Sequence, residues 1–211
     1  SGNDRNGTLS GYQGNDTSWT GGKVGGAINL DGTNDYVGIG NVMSGFVDFS
    51  LSMWVRTTQQ VAGGTRYNDP TFIGIRHAGG DANDFTFASY NGKLSWYDEL
   101  YAGSGHAYDT TKFIADDLWH HLAVIREQEQ ITFYSDNQQV GSFTTGLDPV
   151  RDDHLDIGRS LWSGALYFDG LIDDVRIYDR ALTAGQVEGL FEAASRDSDG
   201  DGIPDESELA V

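Results

Sequence analysis

The sequence predicts an all-β chain: a two-sheet antiparallel β-sandwich of the jelly-roll kind with one short C-terminal helix. Three observations predict it. Stretches with apolar residues at alternate positions recur along the chain, separated by turn-forming residues, which is the pattern of half-buried strands. Glycine is abundant (29), proline scarce (3) and aromatic residues make up 12%, a profile of short strands joined by tight turns. Only one segment carries a helical period, and many antiparallel strands beside a single terminal helix suit a sandwich.

Taken in order, the strands fall near 27–30, 35–39, 49–56, 71–75, 84–90, 93–98, 119–126, 130–135, 138–143, 154–158 and 170–178. Asn91-Gly92 is the strongest hairpin signal, because a type I′ turn needs positive φ at both central residues. A two-residue loop there pairs Tyr90 with Lys93, Ala88 with Ser95 and Thr86 with Tyr97. Phe85, Phe87, Leu94 and Trp96 then share the core face, and Thr86, Tyr90, Lys93 and Tyr97 share the other. By the same alternation Phe49, Leu51, Met53 and Val55 look inward, leaving Trp54 and Arg56 opposite, while Ile73 and Ile75 leave Phe72 and Arg76 opposite. The helix starts just after the last strand: Thr183 and Gln186 form a capping box, and Val187, Leu190 and Phe191 follow at i, i+3 and i+4.

The net charge of −19 opposes nucleic-acid binding, which needs a basic footprint, and opposes docking on an anionic membrane. No apolar run approaches transmembrane length and no signal peptide is present. There is no cysteine, so no disulfide staples the fold, and bound calcium could take that role.

The calcium expectation comes from the tail, Asp197-Ser-Asp199-Gly-Asp201-Gly202-Ile203-Pro-Asp205-Glu-Ser-Glu208. Counted from Asp197, oxygen donors stand at positions 1, 3, 5, 9 and 12 with Gly202 at 6, the register of a twelve-residue calcium loop. Asp197, Asp199, Asp201 and Asp205 supply carboxylates, Ile203 its carbonyl, and Glu208 both oxygens. Pro204 leaves little room for an exiting helix, so the segment is not a true EF-hand. It resembles the aspartate-rich repeats of thrombospondin type 3 and related bacterial calcium linkers. That resemblance implies a sandwich over 1–194, a linker over 195–211, and further domains of a longer, secreted protein. The absence of an initiator Met agrees with a piece of a longer chain.

Four ordered segments carry a second resemblance. They are Gly25-Gly-Ala27-Ile-Asn-Leu30-Asp31-Gly32-Thr-Asn-Asp35-Tyr36-Val37, Phe49-Ser-Leu-Ser-Met-Trp54-Val55-Arg56, Trp119-His120-His121-Leu-Ala-Val124, and Asp169-Gly170-Leu-Ile-Asp173-Asp174-Val175-Arg176-Ile177-Tyr178-Asp-Arg-Ala-Leu182. Together they resemble the LamG-like (laminin G, concanavalin A-like) jelly-roll family from about Ser1 to Phe191. The resemblance implies two antiparallel sheets, one concave, and a structural calcium at the sandwich edge. Asp173 matches the aspartate that holds that ion, with Asp4, Asp31 and Gly32 as co-ligands. Asp173 also shares a strand face with Val175 and Ile177, where an unpaired carboxylate would be costly, so calcium or an arginine must satisfy it.

Catalytic signatures are missing. Glycosidases on related sandwiches use paired carboxylates at alternate strand positions, but no Glu-x-Asp-x-Glu strand occurs. Glu127 and Glu129 alternate, yet they fall at a turn after Arg126 and read as solvated charges. His77, His106, Tyr97 or Tyr101 could serve as a lyase base, but no spacing demands it. Neighbouring residues on a strand face opposite ways, so His120 and His121 cannot jointly grip one ion. There is no Gly-x-Ser-x-Gly elbow and no phosphate loop.

Aromatic residues point instead to binding. A protein holds sugar by stacking a ring on the apolar face of a pyranose, with polar groups bonding the hydroxyls. Tyr90, Tyr97 and Trp54, with Arg76, Arg56 and Lys93, could form such a platform, although packing under a loop competes for each ring. Loops carrying Tyr101, His106 and Tyr108, or Trp162 and Tyr167, could rim it, whereas Trp19 and Trp119 read as packing. If Lys93, Arg66, Arg151 and Arg159 gather beside the tyrosines, an acidic glycan is favoured. The expectation is a non-catalytic carbohydrate-binding module of a secreted bacterial polysaccharide-degrading enzyme. Its partner would be a polysaccharide, acidic or marine among the options, and its ion calcium. An adhesion or spacer domain of a surface protein is the alternative, and a small lyase or glycosidase the third.

Overall fold

The computed structural model describes residues 7–12, 18–61, 66–76, 84–99, 105–146, 150, 154–160 and 166–195, with the main chain alone at 76 and 195. Along the chain run β1 (Thr8–Ser10), β2 (Trp19–Gly21), β3 (Gly26–Asp31), β4 (Tyr36–Gly40), β5 (Phe49–Arg56), β6 (Thr71–Arg76) and β7 (Asp84–Tyr90). Then follow β8 (Lys93–Glu99), β9 (Gly105–Phe113), β10 (His120–Glu127), β11 (Gln130–Ser135), β12 (Gln138–Thr144), β13 (His154–Ile157), β14 (Asp169–Tyr178) and the helix α1 (Ala184–Ser195). They form two seven-stranded sheets. The first has the order β1-β4-β13-β6-β7-β8-β9 and the second β12-β11-β10-β5-β14-β3-β2, and all their pairings are antiparallel.

The core fills the space between the sheets, as alternation requires. Phe85, Phe87, Leu94 and Trp96 of the first sheet and Phe49, Leu51, Met53 and Val55 of the second are at most 1% exposed. Phe85 stacks on Trp96 at 4.6 Å and on Phe49 at 5.4 Å between centroids. The Trp96 indole keeps its polar end satisfied by donating to the buried Asp98 carboxylate at 3.0 Å, which also accepts from the Thr145 hydroxyl at 2.8 Å. Asn91 and Gly92 sit at φ 50° and 75°, and the hairpin they close has the expected register, Tyr90 opposite Lys93 and Thr86 opposite Tyr97.

Two sequence expectations change. Phe72 was expected outside, but a register shift between Thr71 and Ile73 turns it into the core, edge-on to Phe87 and Phe168. The stretch around His106 and Tyr108 was read as a loop, but from Gly105 it is β9. Tyr108 points inward from it and stacks on Phe133 at 5.5 Å and Phe143 at 4.9 Å.

The helix begins as the capping box dictates: the Gln186 N–H donates to Thr183 Oγ1 at 3.3 Å and the Thr183 N–H to Gln186 Oε1 at 3.0 Å. Its apolar side covers the outer face of the second sheet, where Val187 packs with Ala123, Ile125 and Leu182. The same helix lays Phe191 on Trp54, 5.7 Å between centroids. One outside face of the sandwich is therefore sealed, and the other is left to present side chains. No helix among the described residues is long and apolar enough to cross a membrane.

Candidate binding face on the first sheet

Alternation along β7 and β8 sends Tyr90, Lys93 and Tyr97 to the outer face of the first sheet, away from Trp96 and Phe87. A turn of 3₁₀ helix, Arg66–Asn68, lies over these two strands and adds Arg66 and Tyr67 to the group. The Arg66 guanidinium lies 3.7 Å from the centre of the Tyr90 ring. It is fixed there by donating to Asp69 at 2.8 Å and, from a second nitrogen, to Asp109 of β9 at 2.7 Å. Tyr67 meets Tyr97 edge-to-face at 5.6 Å. All three rings are half-buried, so each keeps a part of its surface open.

Burial, then the nearby Glu99, Tyr67, Asp98 and Asp84, push the Tyr97 phenol up to about 12. It stays protonated and is a hydrogen-bond donor at neutral pH. Farther along the face a second pair repeats the arrangement: the Arg159 guanidinium lies 3.4 Å from the centre of the Tyr36 ring and donates to Asp156 of β13 at 2.6 Å.

Between these two tyrosine–arginine pairs the face is closed. Thr71, Thr86, Ala88 and Ser95 are at most 1% exposed. Gly74 lies beneath the segment from Arg159, since a side chain there would begin 3.2 Å from the Arg159 carbonyl oxygen. Asp84 and Glu99 stand opposite one another across β7 and β8, and both are buried. The contact surface is thus the half-buried rings and the polar groups around them: Tyr67, Tyr90, Tyr97, exposed Lys93 and exposed Asp109.

Several expected members of the platform lie elsewhere. Trp54 and Arg56 do project outward, but from β5 in the second sheet, so the whole sandwich separates them from Tyr90 and Tyr97. Trp54 is 3% exposed, stacked on Phe191 and tilted against His121, and Arg56 is held by Asp117 at 2.9 Å. Arg76 ends β6 opposite His154, and its side chain lies outside what is described. Trp19 was expected to pack but is 56% exposed. Sequence reasoning counted Arg66 only among the scarce cations and missed Tyr67 and Asp109. The Arg-Tyr pair ahead of β6 was the available signal, but its placement depends on a loop crossing two strands.

Among the described residues, the expected calcium ligands Asp31 and Asp173 are not brought together. Asp31 lies opposite Asp169, and Asp173 is four residues farther along β14, about 13 Å away at strand spacing. Both Asp173 oxygens already accept backbone N–H groups, from Lys23 and Val24 at 2.7 Å and from Asp174 at 2.6 Å. Asp173 thereby ties the β2–β3 turn to β14, which answers the cost of burying it without an ion or an arginine. Asp31 caps its own turn by accepting from Thr33 and Asn34, next to Gly32. Asp4, Asp197, Asp199, Asp201, Ile203, Asp205 and Glu208 lie outside the described residues. Among the described residues no group of three or more His, Asp or Glu side chains could hold a metal.

His120 and His121 point apart. His120 bridges two carboxylates, Asp136 at 2.7 Å and Asp116 at 3.0 Å, and the hydrogen bond to Asp136 holds its pKa above the ordinary value. His121 is packed under α1 against Trp54 and within 2.9 Å of the Ser52 hydroxyl, and burial lowers its pKa to about 4. A cleft of about 590 Å³ opens between the sheets near β1 and β2, lined by apolar groups including Leu9, Trp19, Val37, Phe46 and Ile177. Asp179 is the single charged residue among its described lining, so it lacks the polar groups that sugar hydroxyls need.

Two antiparallel sheets around a packed aromatic core, a terminal helix on one side and an aromatic, charged face on the other define a lectin-like β-sandwich. The chain belongs to the concanavalin A-like lectin/glucanase superfamily, whose laminin G model matches residues 31–188. Among solved structures it is similar to domain 4 of AbnA, an extracellular GH43 arabinanase from Geobacillus stearothermophilus, solved with arabinotriose. The identity is 26%, each chain is covered to 87%, and the TM-score is 0.68. It is also similar in fold to the binding domain of Paraclostridial Mosquitocidal Protein 1, at 20% identity and TM-score 0.68 over 96% of this chain. It spans about half, 51%, of that structure's length. The CBM40 of a Ruminococcus gnavus IT-sialidase, solved with α2,3-sialyllactose, has 12% identity and TM-score 0.62, covering 78% of this chain and 96% of that one. Comparison with curated proteins finds no match.

Proposed function

We propose that this chain is a glycan-binding domain that acts by contact rather than catalysis. It would be carried by a secreted bacterial polysaccharide-degrading enzyme, with the aspartate-rich tail as a calcium-binding linker to further domains. The observation that carries the reading is the group of Tyr67, Tyr90 and Tyr97 with Arg66 and Asp109 on one outside face. Rings offer stacking surface, the Tyr97 hydroxyl a donor, and Asp109 an acceptor, which is what a pyranose or furanose requires. The arabinanase domain adds support, because at 26% identity it was solved with an oligosaccharide. The tail contributes its donor register, which repeats at the spacing a calcium coil uses.

Tyr97→Ala tests the reading. Losing one stacking ring should weaken binding by about 1–1.5 kcal/mol, or about tenfold, in affinity electrophoresis against plant and marine polysaccharides. The variant should melt within a few degrees of the wild type, because the ring packs outside the core. If Tyr97→Ala folds and binds as well as the parent, the site is elsewhere.

The closed middle of the face favours a second reading, an adhesion or spacer domain that grips protein or nothing at all. Under that reading no polysaccharide retards the domain. A hydrolytic or lyase role draws on the facing Asp84 and Glu99, whose burial keeps substrate from them in this conformation.

A further inference from the structure

The sequence offered a rule: arginines gathered beside the tyrosines would favour an acidic glycan. The structure sets Arg66 on Tyr90 and Arg159 on Tyr36, while Arg151 lies outside the described residues, and the pairing of these two arginines with carboxylates reverses the conclusion. Resting on the glycan-binding reading above, we infer that the ligand of this face is an uncharged oligosaccharide, selected because every arginine whose side chain is described there is already neutralised by the protein's own carboxylates.

Arg66 serves two carboxylates, Asp69 at 2.8 Å and Asp109 at 2.7 Å, while its flat side rests on Tyr90. With its second terminal nitrogen also on Asp109, this guanidinium has all three nitrogens engaged and its charge over-compensated. Arg159 is held by Asp156 at 2.6 Å and rests on Tyr36. Arg66 cannot fork onto a uronate, sialate or sulfate without first giving up a carboxylate, and Arg159 brings its own counter-ion through Nε. Two more carboxylates, the buried Asp84 and Glu99, lie opposite one another across β7 and β8 on the same face. The raised Tyr97 phenol fits that field, since Glu99, Asp98 and Asp84 all contribute to the shift after burial. Lys93 is the exposed cation at the hairpin end, so Lys93, Arg66 and Arg159 stand as three described cations against the five carboxylates Asp69, Asp84, Glu99, Asp109 and Asp156.

The polar groups that remain suit hydroxyls. Asp109 is exposed on one side of Arg66 and accepts, as carboxylates do from sugar hydroxyl pairs, and the Tyr97 hydroxyl donates. A neutral sugar loses nothing in such a field, whereas an anionic one must be brought up to a domain of net charge −19 against repulsion that only salt can screen.

The test uses matched pairs: arabinan, galactan, xylan and mannan, each in its native neutral form and as its chemically sulfated derivative. Affinity electrophoresis of the full chain is run at low and at physiological ionic strength. At least one neutral form should retard the domain, and its sulfated partner should bind at least about tenfold more weakly at low salt, with the gap narrowing as salt is added. Asp109→Asn, at an exposed position, should uncover charge on Arg66 and strengthen binding to the sulfated forms several-fold. Equal or tighter binding of the sulfated partners would overturn the inference and leave glycan binding standing. An Asp109→Asn variant without any gain for the sulfated forms would overturn it too, because carboxylate compensation would not be what sets the preference. Retardation by no polysaccharide of either kind would overturn the glycan-binding reading and the inference together.

Discussion

Replacing Asp136 with Asn should cost about 3 kcal/mol, and the cost should depend on pH in a defined way. Asp136 sits at φ 52° in the turn between β11 and β12 and accepts from four groups. These are His120 Nδ1 at 2.7 Å, Lys112 Nζ at 2.9 Å, the His121 N–H at 3.0 Å and the Ser135 hydroxyl at 3.3 Å. Asparagine tolerates the left-handed backbone and can keep the bond from the His121 N–H, so the backbone contributes little to the loss. What goes is the pair of bonds from charged donors. Bonds of that kind contribute about 1.5–3 kcal/mol each, and the His120 one belongs high in the range because the imidazole is 9% exposed. The Lys112 bond belongs near the bottom or below it, since both its partners are close to 30% exposed and screened by solvent. For a chain of this length about 3 kcal/mol lowers Tm by roughly 6–12 °C.

The pH dependence follows from two opposite shifts. Burial alone would raise the Asp136 carboxyl, but His120 and Lys112 outweigh it and hold the group far below the usual carboxylate range. Its contribution is present above about pH 3.9 and is lost as the pH falls through the depressed folded value. His120 is raised, so its contribution is full below about pH 6.5 and is lost as the pH climbs through the raised folded value. The deficit of Asp136→Asn should therefore be greatest between about pH 4 and 6.5 and shrink on either side. Thermal melts followed by circular dichroism across pH 3 to 9 would show this. A deficit that is flat across the whole range, or a variant melting within a degree of the parent at pH 5, refutes the reasoning.

Trp54→Ala should destabilise the chain by about 3–5 kcal/mol, as truncation of a buried aromatic does, while the folded fraction keeps its affinity for glycan because the ring is on the sealed side. Weakened binding with unchanged stability would put Trp54 back in the site. Calorimetry of the full chain against a form ending at Ala194 should show one calcium ion fewer in the shorter form, and equal stoichiometry would remove the tail loop from the account. Because Asp173 spends both oxygens on backbone amides, a chelator should leave the melting temperature of that shorter form unchanged.

Inside and outside were legible from alternation, and register was legible wherever turn chemistry fixed it. The Asn91-Gly92 turn placed every side chain of its hairpin on the correct face, and the Thr183–Gln186 box set the start of the helix. Alternation does not say which of two outsides a residue reaches. Trp54 and Tyr97 both point away from the core, yet the pairing of β5 with β10 and β14 puts Trp54 under the helix and the pairing of β7 with β8 puts Tyr97 opposite. β9 escaped because its sequence, Gly-His-Ala-Tyr-Asp-Thr-Thr-Lys-Phe, sends chiefly Tyr108 and Thr110 inward and lacks an aliphatic pattern. Phe72 escaped because a register shift is a cooperative product of neighbouring strands, with no local signature. Arg66 needed the path of a loop, which no periodicity encodes.

The four outer strands of the sandwich bear on how it avoids pairing with other chains. An unpaired strand edge invites another chain to add to it. β1 and β2, each three residues long, give an incoming strand little to pair with. The longer edges are interrupted: β9 slips register against β8 between Lys93 and Ser95, and β12 slips against β11 opposite Phe133 and Tyr134. These two edges also meet across the end of the sandwich, where the Tyr108 hydroxyl lies over Gly141, 3.0 Å from where a side chain there would begin. The polar side chain of His106 and the charges of Asp109 and Lys112 line β9 itself. A second copy of the chain would therefore find few edges to zip onto, which limits edge-to-edge pairing during folding.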